Sequence, residues 1–195
     1  MDDVRARGRR KFLLIAALFL VPVIVVFALY YGGIWRPAGS SAKGELVHPA
    51  RPLELAGLRH ADGKPAGIEA FQGKWTLIYI GDGACDEACR TALTYGRQTR
   101  LAVGKDMDRV QRMFLTTGNC CDRNYLETEQ LGLVTLDVSS TEAQALLAQF
   151  PADRTHTLFI VDPLGNLMMR HDASVVINKD LLTDLKKLLK LSHIG

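Results

Sequence analysis

Cys85 and Cys89 stand with three residues between them in the segment IYIGDGACDEACRTAL, just after an apolar run that ends in Gly81-Asp82-Gly83. If a helix begins near residue 84, the two are i and i+4 on one helical face, with Cβ atoms about 5–6 Å apart. A pair at that spacing closes a disulfide or clamps one soft metal ion. A helix N-terminus favours thiolate, whereas Asp82, Asp86 and Glu87 crowd the same place with negative charge and oppose it. That acidity suits a cation site better than a fast attacking thiol. His156 would complete a two-thiolate, one-imidazole copper site. His171 lies farther along the same region, and His48, His60 and His193 read as surface residues. Cys120 and Cys121 are adjacent, and neighbouring Cα atoms are only about 3.8 Å apart where a disulfide needs about 4.4–6.8 Å, so they do not easily bridge each other. They are auxiliary thiols that would resolve a disulfide, add metal ligands or pack a loop.

The elements around these residues follow from apolar spacing. KWTLIYIGD is a near-continuous apolar run, as expected of a strand buried on both faces, with the cysteines after its carboxyl end. The segment from Cys85 to Val103 is expected to be a helix, acidic at its start and basic (Arg97, Arg100) towards its end. A second strand is expected over Val110–Thr116, which puts Cys120 and Cys121 on the same sheet edge as Cys85 if the two strands are parallel. LGLVTLDVSS offers a short strand, and STEAQALLAQF a helix capped by Ser140 and stopped by Pro151. HTLFIVDPLGNLMMRHD reads as a hairpin turning at Pro163 and Gly165. NKDLLTDLKKLLKL closes the chain with leucines on one helical face. Strand, helix, strand, helix, hairpin, helix is a thioredoxin-like plan, an α/β fold with a central sheet flanked by helices.

The compartment decides how the thiols are read. Phe12 to Ile34 is uncharged and apolar, and at about 1.5 Å per residue it is long enough to cross a hydrocarbon core of about 30 Å. The expected organisation is a basic cytoplasmic stub at 1–11, a transmembrane helix at 12–35, a Gly/Ser/Ala-rich linker at 36–43 and one folded domain at 44–195. A cleaved signal peptide is the alternative, but the apolar region is long for one, and Tyr30, Tyr31 and Trp35 form an interfacial aromatic belt. Arg5, Arg7, Arg9, Arg10 and Lys11 precede the run while Arg36 and Lys43 follow it, so the N-terminus stays cytoplasmic and the domain is periplasmic, in a bacterial-type inner membrane. The first eleven residues account for the whole formal charge of +3. The neutral remainder implies no nucleic-acid surface, and the lipid partner is the bilayer around 12–35. In an oxidising compartment a thiol pair is oxidised unless it is kept reduced or metallated.

The residues GKWTLIYIGDGACDEAC and HTLFIVDPLGN, with the anchor before them, resemble the Sco/SenC family of membrane-anchored, thioredoxin-like copper proteins that help to assemble cytochrome c oxidase. The resemblance covers roughly residues 44 to 195. It implies copper as cofactor, Cys85, Cys89 and His156 as metal ligands, and the copper-bearing oxidase subunit or another exported apo-protein as partner. Members usually carry proline after each motif cysteine, where this chain has Asp86 and Arg90. By the family's spacing the histidine place falls on Arg154, so ligation by His156 requires an offset of the hairpin. The expected role is a copper-delivering assembly factor, a metallochaperone rather than an enzyme, that loads or prepares an oxidase copper site. Two alternatives follow from the same residues: a thiol-disulfide oxidoreductase with Cys85 and Cys89 as its redox pair, and a metal-free assembly factor that uses the fold as a binding surface. The charge asymmetry around the apolar run predicts that reporters fused after residue 44 are active only in their periplasmic form; activity of cytoplasmic reporters alone would reverse the topology.

Overall fold

The computed structural model describes residues 2–32, 41–54, 57–60, 63–118, 122–174 and 179–192. In chain order the elements are α1 (Asp2–Tyr31), β1 (Glu45–Pro52), β2 (Arg59–His60), β3 (Trp75–Gly81), α2 (Glu87–Ala102), β4 (Val110–Thr116), α3 (Arg123–Glu129), β5 (Leu133–Asp137), α4 (Gln144–Leu147), β6 (Thr157–Val161), β7 (Asn166–Asp172) and α5 (Asp180–Leu191). The chain falls into two units, Met1–Ser41 and Ala42–Gly195. The first holds α1, whose Gly8–Tyr31 stretch is long and apolar enough to cross a membrane and contains Pro22. The helix thus starts inside the basic segment rather than at Phe12, because straight-chain Arg and Lys are good helix formers.

The second unit is built on β3. Its residues Trp75 to Ile80 are all buried, with Leu77 and Tyr79 in one core cluster and Ile78 and Ile80 in the other. Burial on both faces explains an apolar run without alternation. Thr76 is tolerated there because Gln111 donates to its hydroxyl at 2.8 Å and the hydroxyl donates to the Lys74 carbonyl at 3.3 Å. The sheet order is β1-β7-β6-β3-β4-β5-β2, with β3, β4 and β5 parallel and the remaining pairings antiparallel. The parallel β3–β4 pair needs a crossover, which α2 supplies. This is a thioredoxin-like α/β fold with a mixed central sheet and flanking helices.

On one side Ala92 and Leu93 of α2 and Leu181, Leu185 and Leu189 of α5 cover the sheet. On the other, Leu146, Leu147 and Phe150 pack over Phe159 and Leu136 together with Phe71. Three sequence expectations change. Helix α2 starts at Glu87 rather than near residue 84, because the Asp86 side chain accepts from the Cys89 N–H at 2.9 Å and sets the N-cap there. Helix α4 is only four residues long, since the Ser140 hydroxyl accepts from Ala143 N–H in a turn and the helix follows from Gln144. β1 and α3 add elements that the apolar pattern did not announce. Phe159 is fully buried with its ring 5.0 Å from that of Phe150, edge to face. Phe159→Ala is expected to cost about 3–5 kcal/mol through lost burial and the cavity left behind; chemical denaturation of the detergent-solubilised chain, followed by fluorescence of buried Trp75, measures it.

Candidate functional site

The end of β3 builds the site. After Gly81 the chain reverses: Asp82 Oδ1 accepts from the Ala84 N–H at 2.8 Å and the Asp82 carbonyl from the Cys85 N–H at 3.1 Å. Cys85 emerges with φ of +52°, in the left-handed region, and Asp86 then caps α2. The two cysteines therefore do not share a helical face; Cys85 precedes the cap and Cys89 lies in the first turn. They still meet. Cys85 and Cys89 are joined as a disulfide with Cα atoms 5.0 Å apart, and each is only 2% exposed.

Arg90 fixes this turn. Its Nε donates to the Cys85 carbonyl at 3.3 Å, its Nη2 donates to Asp122 at 2.6 Å, and its guanidinium lies 4.4 Å from the centre of the Tyr125 ring. Asp122 in turn caps α3 by accepting from the Tyr125 N–H at 3.1 Å. The Tyr125 hydroxyl accepts from Gln130 at 2.9 Å, and Gln130 accepts from the buried Arg112 at 2.6 Å. The segment after β4 is tied to the same turn, since Thr117 N–H donates to the Gly81 carbonyl at 3.0 Å and Asp122 N–H to that of Gly83 at 3.1 Å. Cys120, Cys121 and His193 lie outside the described residues.

A cavity of about 460 Å³ opens beside the disulfide, with Tyr79, Asp82, Asp86, Thr117, Arg154 and Thr155 on its walls. Arg154 is held by donating from Nε to the Pro151 carbonyl at 2.9 Å. It brings a positive charge to the cavity that Asp82 and Asp86 also line. His156, with φ of +55°, stands outside this cavity and lines a second one of about 550 Å³ with His171, Asp153, Asp172 and Asp180. The structure thus brings Cys85 and Cys89 together and places Arg154, not His156, in their cavity. Among the described residues no group of three or more His, Cys, Asp or Glu side chains is arranged to hold a metal. The residues lining the cavity beside the disulfide, two cysteines and an arginine with no histidine among them, do not make up the three-ligand copper site expected from the family. His48 is exposed and His60 half-buried, neither near the cysteines' cavity walls.

The sequence model of the transmembrane-like, thioredoxin-like C-terminal domain family matches residues 75–192. The chain belongs to this family. The matched stretch of the family domain runs from the first residue of β3 to just beyond α5 and contains both cysteines. No curated protein matches the sequence. Among solved structures the domain is similar to apo Sco1 from Thermus thermophilus (20% identity, 79% of this chain and 98% of that one covered, TM-score 0.56). It is also similar to yeast Sco1 with copper bound (16% identity, 79% and 96% covered, TM-score 0.59). The thioredoxin domain of a thiol-disulfide oxidoreductase from Bacteroides vulgatus is a further likeness (18% identity, 77% and 99% covered, TM-score 0.51). At these identities the likenesses carry the fold.

Burial, and secondarily the negative charge of Asp86, push the Tyr79 phenol up from 10.0 to about 12. A phenol whose folded value is raised contributes stability that is fully present below pH about 10 and lost as the pH rises through about 12. Tyr79→Phe, which keeps the packing on the Phe114 ring 5.8 Å away, should flatten that alkaline loss by up to about 2–3 kcal/mol. Equilibrium unfolding of both proteins between pH 9 and about 12 measures the difference, and equal slopes would refute the assignment.

Proposed function

We propose that the domain is an exported thiol-disulfide exchange factor, tethered by α1, that acts through the Cys85–Cys89 couple on cysteines of an exported apo-protein. The observation that carries this reading is the disulfide itself, seated in a cavity where Arg154 occupies the place of a third ligand. In the reducing direction one thiolate of the couple attacks a partner disulfide, forming a mixed disulfide and releasing one partner thiol. The second cysteine then attacks that mixed bond, so the partner leaves as a dithiol and the couple is left oxidised. The two electrons and two protons pass from the couple to the partner, and an exported dithiol donor restores the reduced couple. The guanidinium of Arg154 offsets Asp82 and Asp86 and favours the attacking thiolate. The resemblance to Sco proteins points to the copper-bearing subunit of cytochrome c oxidase as the partner, its copper-site cysteines being prepared for metal.

A second reading is copper delivery by the reduced pair. It is favoured by the fold shared with yeast Sco1, which is solved with copper bound, and by the affinity of paired thiolates for Cu(I). One comparison separates the two, with the reduced full chain in detergent given a disulfide-bonded substrate peptide in one assay and Cu(I) against a competing chelator in the other. Exchange is expected to be fast and to vanish in Cys85→Ser and Cys89→Ser, one of which should trap the mixed disulfide. Arg154→Gln is expected to slow exchange roughly tenfold, the effect of about one unit in thiolate stability. Stoichiometric Cu(I) uptake that needs both cysteines, together with negligible exchange, would overturn the redox reading in favour of copper delivery.

A further inference from the structure

Just before β1 the chain passes over a buried pair of ionisable side chains. His171 lies on the buried side of the alternating strand β7, and Asp184 of α5 is only 2% exposed. Asp184 Oδ2 accepts two consecutive backbone N–H groups, from Lys43 at 2.6 Å and from Gly44 at 2.8 Å. The same oxygen lies 3.5 Å from His171 Nε2. Gly44 rests on the imidazole so closely that a Cβ at this position would fall on Nε2 and Cε1 of the ring and on the Arg170 carbonyl. The segment seats because residue 44 has no side chain.

One carboxylate oxygen thus stands between two claims. While His171 is neutral, Oδ2 is satisfied by the two N–H donors, since hydrogen bonds to an ionised acceptor are the strong ones. Once the ring takes a proton, a full positive charge stands beside that oxygen but is closed off from water by Gly44. A buried imidazolium needs a partner that is not already engaged, and solvent. Moving Lys43 and Gly44 aside supplies both, because it frees Oδ2 and wets the ring. Burial pushes His171 below its ordinary 6.5, with Asp184 and then Asp180 acting the other way. A base depressed in the docked state makes docking strongest above pH about 6.5 and weakens it as the pH falls below that value. Around the ring stand Asp180 and Asp184 from α5, Lys43 and Glu45 from the segment into β1, Arg170 and Asp172 from its own strand, and Asp153 and His156 from the segment into β6. Histidine is the side chain among these whose ordinary range lies between about pH 5 and 8. Of the two histidines, His171 is the one against Asp184 and Gly44.

We infer that Lys43 and Gly44 form a proton-controlled strap, docked on Asp184 while His171 is neutral and released when His171 is protonated. Lys43, Gly44 and Glu45 are one wall of the cavity of about 550 Å³ that His156 and His171 also line. Release of the strap opens that wall and brings the His171 imidazole into contact with solvent. The device does not depend on what Cys85 and Cys89 do.

The test reads the Lys43 and Gly44 amides themselves, by hydrogen exchange of the full chain in detergent and mass spectrometry of peptic fragments that overlap at these residues. After correction for the intrinsic effect of pH on exchange, their protection is expected to fall about tenfold between pH about 7.5 and about 5, while the amides of β3 keep theirs. His171→Asn removes the proton site and should make the protection of the strap independent of pH over that range. His156→Asn, in which asparagine accepts the left-handed backbone of this position, should leave the fall in place. Gly44→Ala blocks the seat and should leave both amides poorly protected at every pH, with the circular dichroism of the domain unchanged. If His171→Asn does not fold, the pH profile of the unaltered chain and the other two variants decide. Protection that does not change with pH, a fall that persists in His171→Asn, a fall abolished by His156→Asn, or full protection in Gly44→Ala would overturn the strap. Failure of thiol exchange in the earlier comparison would leave this result untouched.

Discussion

The reversal at the carboxyl end of β3 is the constraint on which the site depends. A strand buried on both faces cannot carry functional side chains along its length, so chemistry is confined to its end, where the chain leaves the sheet. Gly81, Asp82 and Gly83 turn the backbone there, Asp82 satisfies the Ala84 and Cys85 N–H groups, and Asp86 then starts α2. Each carboxylate is spent on a backbone donor. Asp82 and Asp86, two of the three acidic residues that read as an electrostatic obstacle to thiolate chemistry, are first of all the caps that shape the turn.

Without prolines after the cysteines, something else must hold Cys85 against the helix. Arg90 stands in one of those two places and does so by reach: it binds the Cys85 carbonyl, pairs with Asp122 and stacks on Tyr125. The charge pair is half-exposed and worth little alone. Its value is geometric, because Asp122 also caps α3 and its N–H is bonded to Gly83. The turn after β3, the start of α2 and the start of α3 are thereby joined by one set of hydrogen bonds.

Sequence made some of this legible and hid the rest for identifiable reasons. β3, β4 and β6 were readable as nearly unbroken apolar runs because they are buried on both faces, β7 was readable from its alternation, and α5 from its period, with Leu181, Leu185 and Leu189 buried as their spacing demands. β1 was not, since ELVHPARP is a mostly exposed edge strand with two prolines and carries no alternation. The start of α2 slipped by three residues because Asp86 and Asp82 compete for neighbouring donors and nothing in the local pattern ranks them. The nearness of Cys85 and Cys89 survived that error, as both geometries bring the sulfurs together. The Arg90–Asp122–Tyr125 assembly joins residues 32 and 35 apart, and such contacts leave no local signal.

The displacement of His156 has a backbone cause. Among the described residues the non-glycine positions with positive φ are Cys85 and His156, one before each element that frames the cysteine cavity. A residue in that region costs about 1 kcal/mol or more and persists only where its surroundings enforce it. At Cys85 the left-handed kink turns the sulfur back towards Cys89. At His156 it separates the side chain from Arg154 and Thr155, which stay on the cysteine side, while the imidazole goes to the cavity shared with His171. Thr155 lines both cavities and marks the divide between them. A one-residue step along an extended chain would leave alternate side chains on one side, and that spacing is what makes a histidine two places beyond Arg154 look like a ligand. The left-handed turn breaks the alternation, so the cysteine pair and the imidazoles of His156 and His171 line different cavities.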